Sequence, residues 1–114
     1  MSADNYMIGT LGPHAVITMP AEIDVTNSEE AQQALLAALA QPPAVLIIDM
    51  SETTFCDSAG VQAIVVAHKH ATAIGKELRL VAPAVQRILT LVGIGQVIPM
   101  YPTLEAARAA AGDS

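Results

Sequence analysis

Tryptophan is absent from this sequence of 114 residues, and aromatic residues make up only 3% of it. Because 53% of the residues are hydrophobic, the core must be built from Ala, Val, Leu and Ile, which suit close packing of helices on a sheet. Cysteine is equally scarce. Cys56 stands alone, which excludes an internal disulfide and a thiolate metal cluster and fits a reducing compartment. Long apolar runs are missing too: none, Ala44 to Ile48 included, is long enough to span a bilayer. The N-terminus lacks the basic, apolar and small-residue series of a signal peptide. A soluble, cytoplasmic protein with no membrane partner is the expectation. Positive charge is sparse, with 5 basic against 11 acidic residues and a net charge of -6. Such a balance repels a phosphate backbone, so nucleic acid is not an expected partner. No internal repeat, charge run or low-complexity linker divides the chain, and its length suits one domain spanning residues 1–114.

What is present alternates between strand and helix patterns. Tyr6 to Leu11 and Ala15 to Met19 are short apolar-rich runs on either side of Gly12, Pro13 and His14, the composition of a hairpin. Thr26 and Asn27 each have a glutamate three residues on, Glu29 and Glu30, which predicts a capping box. A helix follows with Ala31, Ala34, Leu35, Ala38 and Leu39 on one face, stopped by Pro42 and Pro43. The run AVLIIDM, Ala44 to Met50, reads as a central strand covered on both faces. After the loop SETTFC, a second helix begins near Asp57 with a stripe of Val61, Ile64, Val65 and His68, and Gly75 supplies its left-handed stop. A strand, ELRLVA, precedes a helix predicted from Pro83 with Val85, Ile88, Leu89 and Val92 on one stripe, ending at Gly93. Val97 to Tyr101 reads as a last strand, and Pro102 and Thr103 open an alanine-rich helix with Glu105 in its first turn. The fold class is therefore α/β, in the order ββαβαβαβα. It implies a mixed, mostly parallel sheet with about four helices and an antiparallel hairpin at its edge.

The stretch FCDSAGVQ, Phe55 to Gln62, carries the strongest chemical signal. Asp57 and Ser58 are both ordinary helix-capping residues. Yet a cap needs one oxygen, and here Asp57, Ser58 and Gly60 cluster just beyond the central strand, where open α/β sheets place their sites. A nucleophilic serine would require G-x-S-x-G, and Cys56 occupies the first glycine position. His68, ten residues on, would stand roughly 15 Å up the same helix, too far to act as a base. His14 could approach only through the fold. An acceptor of phosphate fits better, because a helix N-terminus offers free N–H groups and the positive end of a dipole. A phosphate adds about -1.5 to -2 charges beside Asp57, altering a surface without unfolding the chain.

LIIDMSETTFCDSAGVQAIVVAHKHA, followed by GKELRLVAPAVQRILTLVGIGQVIPMYPTLEAA, resembles the STAS domain of bacterial anti-sigma factor antagonists. The likeness runs from the AEIDVTN segment, Ala21 to Asn27, through Ala107, and its most specific elements are D-S-x-G at a helix start and the PAVQRIL helix. The resemblance implies a non-enzymatic switch. In that family the unphosphorylated antagonist binds an anti-sigma factor, a serine kinase of the histidine-kinase-like ATPase fold, and so frees a sigma factor. The kinase phosphorylates the serine that matches Ser58, and a metal-dependent serine phosphatase restores it. By the same likeness Asp57, Ala59 and Gly60 form the acceptor's surroundings, while Glu22 and Asp24 belong to the docking face. ATP and magnesium belong to the kinase, so no cofactor or metal is expected on this chain.

Two positions depart from the family pattern. Ala21, preceded by Pro20, stands where the family usually has glycine, and Cys56 where it usually carries a larger apolar residue such as methionine. Cys56 itself reads as a small buried hydrophobe, since neighbouring Asp57 opposes thiolate formation. Gln62, with nearby Val66 or His70, would extend an uncharged docking patch along the helix. His68 and His70 fall on different helix faces, which speaks against a shared metal. Gly93, Ile94 and Gly95 follow a helix instead of opening one, the reverse of a dinucleotide cradle. Two rival readings remain from the sequence. One is a STAS subunit of a stress-signalling scaffold or membrane-lipid transport complex that acts by docking alone, and the other is a small hydrolase using Ser58.

Overall fold

The computed structural model describes residues 6–42 and 44–110; Pro43, read above as part of the helix stop, lies outside them. A five-stranded sheet runs in the order β1-β2-β4-β6-β7. Its strands are β1 (Met7–Leu11), β2 (His14–Thr18), β4 (Val45–Asp49), β6 (Glu77–Val81) and β7 (Met100–Tyr101). Gly12, at φ 62°, turns the chain between β1 and β2, which pair antiparallel as the hairpin reading requires. All other pairs in this sheet are parallel. A second, two-stranded sheet joins β3 (Glu22–Ile23) to β5 (Phe55–Cys56), and no periodicity announced it, because two residues are too few to show one. With those two short strands set aside, the order of elements is the one expected.

Helices α1 (Ser28–Leu39) and α2 (Ser58–Ala73) pack on one face of the sheet, and α4 (Leu104–Ala109) covers the other. α1 buries Ala31, Leu35, Ala38 and Leu39, as its spacing predicts. On α2 the buried line is Gly60, Ala63, Ile64, Ala67 and Ala71, one step round from the stripe expected, and Val61, Val65 and His68 are half-buried at its margin. Small residues take the centre because they let two helices approach closely, while the valines fill the flanks. Lys76 closes α1 from outside it: its Nζ donates to the carbonyls of Leu39 (2.7 Å) and Gln41 (2.6 Å). Gly75 adopts the predicted left-handed conformation, at φ 75°.

Three further expectations are corrected. Pro83 to Val85 form a turn, and α3 covers only Gln86–Leu91. Val85 and Leu89 are buried, whereas Ile88 and Val92 are 47% and 55% exposed, since so short a helix meets the core along a single line. Of the strand expected from Val97, only Met100 and Tyr101 pair with β6. A 3-10 turn at Ile94–Gln96, entered through Gly93 at φ 89°, engages the amides of Gln96, Val97 and Ile98 before the strand can start. The capping box at α1 does not form. Asn27 stands at the cap position with no side-chain cap bond, because its side chain is committed elsewhere.

Candidate functional site at the start of helix α2

Asp57 is the N-cap of α2, and its Oδ1 accepts from the amides of Ala59 (2.9 Å) and Gly60 (3.1 Å). The Val61 amide donates to the Asp57 carbonyl at 3.0 Å. One carboxylate therefore satisfies the first turn, and Ser58, the first helical residue, is exposed with its hydroxyl free of any capping duty. The same arrangement narrows how a phosphate would sit. Asp57 already holds the Ala59 and Gly60 amides, so a group on the Ser58 oxygen must displace that carboxylate or extend into solvent. The helix end does not offer the open anion cradle that the sequence predicts.

The neighbouring loop is stitched to this helix start residue by residue. Thr53 is fully buried and its hydroxyl donates to the Pro20 carbonyl at 2.7 Å. Amides of Thr54 and Asp57 donate to the carbonyls of Ala21 (2.8 Å) and Ile23 (3.2 Å). Glu22 lies opposite Phe55 and Ile23 opposite Cys56 across the β3–β5 pair. The structure thus brings the Glu22–Asp24 loop beside Asp57 and Ser58, with Ala21 at its entry. Asn27 fixes the loop's shape: its Oδ1 accepts from the Asp24 amide (2.9 Å) and its Nδ2 donates to the Glu22 carbonyl (2.8 Å). Hydrogen bonds from the Thr26 hydroxyl and amide hold the Asp24 carboxyl below its ordinary range.

Gly60 is where α2 passes closest to this loop. A Cβ there would meet Cys56 Sγ at 2.7 Å and the Ile23 Cγ2 and carbonyl oxygen at 3.0 Å. Burial, and then the charge of Asp57, pushes the Cys56 thiol up to about 11, so it is an inert filler of the space between loop and helix. Ala59 is half-buried. Gln62 is exposed and Val66 half-buried, following Ser58 at four-residue steps along one side of α2. Phe55, 49% exposed, and Val25, 75% exposed, flank the same site, and neither is marked by the sequence's periodicity. Their signal was position: each adjoins a site loop with no periodic partner.

His14 is not part of this site. It starts β2, at the opposite end of the sheet from Asp49 and Met50, and its buried ring faces Arg79. Among the described residues no group of three or more His, Cys, Asp or Glu is arranged to hold a metal. His68 is half-buried and His70 exposed, as expected of residues on different faces.

The model of the STAS domain matches residues 6–107. The chain belongs to the STAS domain family. Among solved structures it is similar to an anti-sigma factor antagonist from Mycobacterium paratuberculosis, at 26% identity over 90% of this chain and 89% of that one, with a TM-score of 0.78. It shares the fold of the anti-sigma factor antagonist SpoIIAA in its unphosphorylated form, at 20% identity over 89% of this chain and 91% of that one, TM-score 0.70. The Bacillus cell fate determinant SpoIIAA in its phosphorylated form aligns at 19% identity over 89% and 95% of the two chains, TM-score 0.64. Among the described residues, no helix of this STAS domain is long and apolar enough to cross a membrane.

Proposed function

We propose that this STAS domain is an anti-sigma factor antagonist switched at Ser58. Its unphosphorylated form binds an anti-sigma factor that is also a serine kinase, and thereby releases the sigma factor. The kinase brings ATP and magnesium and transfers the phosphoryl group to the Ser58 hydroxyl, and a metal-dependent serine phosphatase later removes it. The chain itself works by binding. The observation that carries this reading is the division of labour at the helix start: Asp57 caps α2, which leaves the exposed Ser58 hydroxyl available to another protein's active site. Support also comes from the surroundings, where exposed Val25, Phe55 and Gln62 supply the uncharged centre a partner surface needs. Glu22 and Asp24 lie at its margin, and Val66 extends it along α2. That SpoIIAA, which shares this fold, exists in unphosphorylated and phosphorylated forms is consistent with the proposal.

A phosphate in this place acts by surface change. With the Ala59 and Gly60 amides occupied by Asp57, the new charge of about -1.5 to -2 stands next to a carboxylate, within the docking face. Repulsion and bulk then separate the partners while α2 keeps its cap. The test is the intact mass of the protein and of its Ser58→Ala variant after incubation with magnesium, ATP and each anti-sigma serine kinase of the same cell. One phosphate on the wild type alone is the expected result, with Ser58→Ala forming a complex that persists. Stable complexes without any phosphate would overturn the switch and leave docking alone.

A further inference from the structure

We propose that the free edge of β1 is a second docking strip, one that takes an extended, basic segment of another protein as an added strand. Among the described residues β1 ends the sheet on one side. Exposed edges are ordinarily blunted by lysine, proline, bulges or brevity. At the far edge β7 has only two residues, but β1 has five, MIGTL, without charge or proline. Its register with β2 runs without a bulge from Met7 opposite Thr18 to Leu11 opposite His14. Met7 and Ile8 are 67% and 52% exposed, and a Cβ built on Gly9 would touch nothing within 4 Å.

Grooves flank this edge on both faces. Tyr6 and Ile8, with Gln33, Ala34 and Ala37 of α1, line one of about 550 Å³. All of β1 from Met7 to Leu11, with Val16 and with Leu104 of α4, lines another of about 250 Å³. Successive side chains of a strand point to opposite faces, so a segment paired with β1 would place alternate residues in the two grooves. Charge identifies the segment. The first groove is edged by Glu29 and Glu30 and the second by Asp49, no basic residue lines either, and none of the three carboxylates makes an ion pair among the described residues. Asp49 is only 7% exposed, and among the described residues it uses Oδ1 alone, to accept from the amide and hydroxyl of Ser51. A second copy of this chain would bring the same carboxylates and another net charge of -6, which like-charge repulsion disfavours. A partner with lysine or arginine among apolar residues satisfies the backbone, the grooves and the charge together.

The probe is the peptide Lys-Val-Thr-Val-Lys-Val-Thr-Val-Lys, added to the full chain labelled for amide NMR. Protection of alternate β1 amides and shifts at Met7 and Ile8 are expected. A version with glutamate for lysine, and one N-methylated at alternate amides, should each bind at least about tenfold more weakly. Ile8→Lys, an exposed substitution, and the double change Glu29→Lys with Glu30→Lys should weaken the original peptide by a similar factor. Ser58→Ala should bind it unchanged, which separates this strip from the Ser58 reading. Equal binding of the N-methylated or the glutamate peptide, or no binding, overturns the proposal. So does sedimentation of the protein alone as a dimer with protected β1 amides, which would make a second copy the occupant.

Discussion

Gly60 and Cys56 set the local limits of the site. Alanine at Gly60 forces a methyl against Cys56 Sγ and the Ile23 carbonyl, so Gly60→Ala should cost about 1–3 kcal/mol of stability, measured by urea unfolding. Adding Cys56→Ala should return part of that loss, because it removes the closest of the three contacts but leaves both to Ile23. The thiol makes a pH prediction of its own. The folded state holds Cys56 neutral, with its pKa raised from 9.0 to about 11. The stability this contributes is complete below the ordinary thiol value and is lost as pH rises from 9.0 toward about 11. Iodoacetamide should therefore leave Cys56 unmodified in the folded protein near neutral pH and alkylate it rapidly in denaturant.

The cap and the loop beside it belong to the scale of elements. Asp57 as cap was legible because its signal is local: an aspartate and a serine standing directly before an apolar stripe. Asn27 was not, since a cap residue three before a glutamate looks the same whether it bonds its own helix or a loop. The fold sends its side chain to the Glu22 carbonyl and the Asp24 amide. Asn27→Ala should then cost about 1–3 kcal/mol for the two bonds and speed amide exchange at Asp24, while the Ala31 amide on α1 keeps its protection. Asn27→Ser, able to cap α1 but too short to span the loop, should behave like alanine at Asp24. The exposed Ile88 of α3 and Val92 just beyond it differ from expectation for a related reason: periodicity states which residues share a face but not how much of that face reaches the core.

At the scale of the whole molecule, Arg79 joins parts of the chain far apart in sequence. Fully buried in β6, its Nε donates to Glu77 (2.7 Å) and its Nη1 to the Ala107 carbonyl of α4 (2.8 Å). His14 Nε2 lies 3.3 Å from Nη1, a separation at which the ring accepts from the guanidinium when its proton is on Nδ1. Nη2 is buried with no partner among the described residues. Arg79→Ala empties a large buried volume and should destabilise the protein by about 2–5 kcal/mol, read from thermal unfolding, and should release α4 first in hydrogen exchange. Arg79→Met should cost less, because it refills the volume and removes the buried charge at the same time.

The amino-acid order by itself determined the α/β class, the antiparallel hairpin, the glycine stops at Gly75 and Gly93, and the position of Asp57 and Ser58 at a helix start. Each of these follows from interactions within a few residues, which caps, turns and periodicity record directly. Tertiary structure decided that Asp57 alone takes the first-turn amides, that Asn27 shapes the loop beside Ser58, that Phe55 and Val25 face outward, and that Arg79 is buried against α4. Those outcomes depend on which distant segments meet, through the β3–β5 pair and the closure of α4 on the sheet, and pairings of that range leave no mark on local spacing.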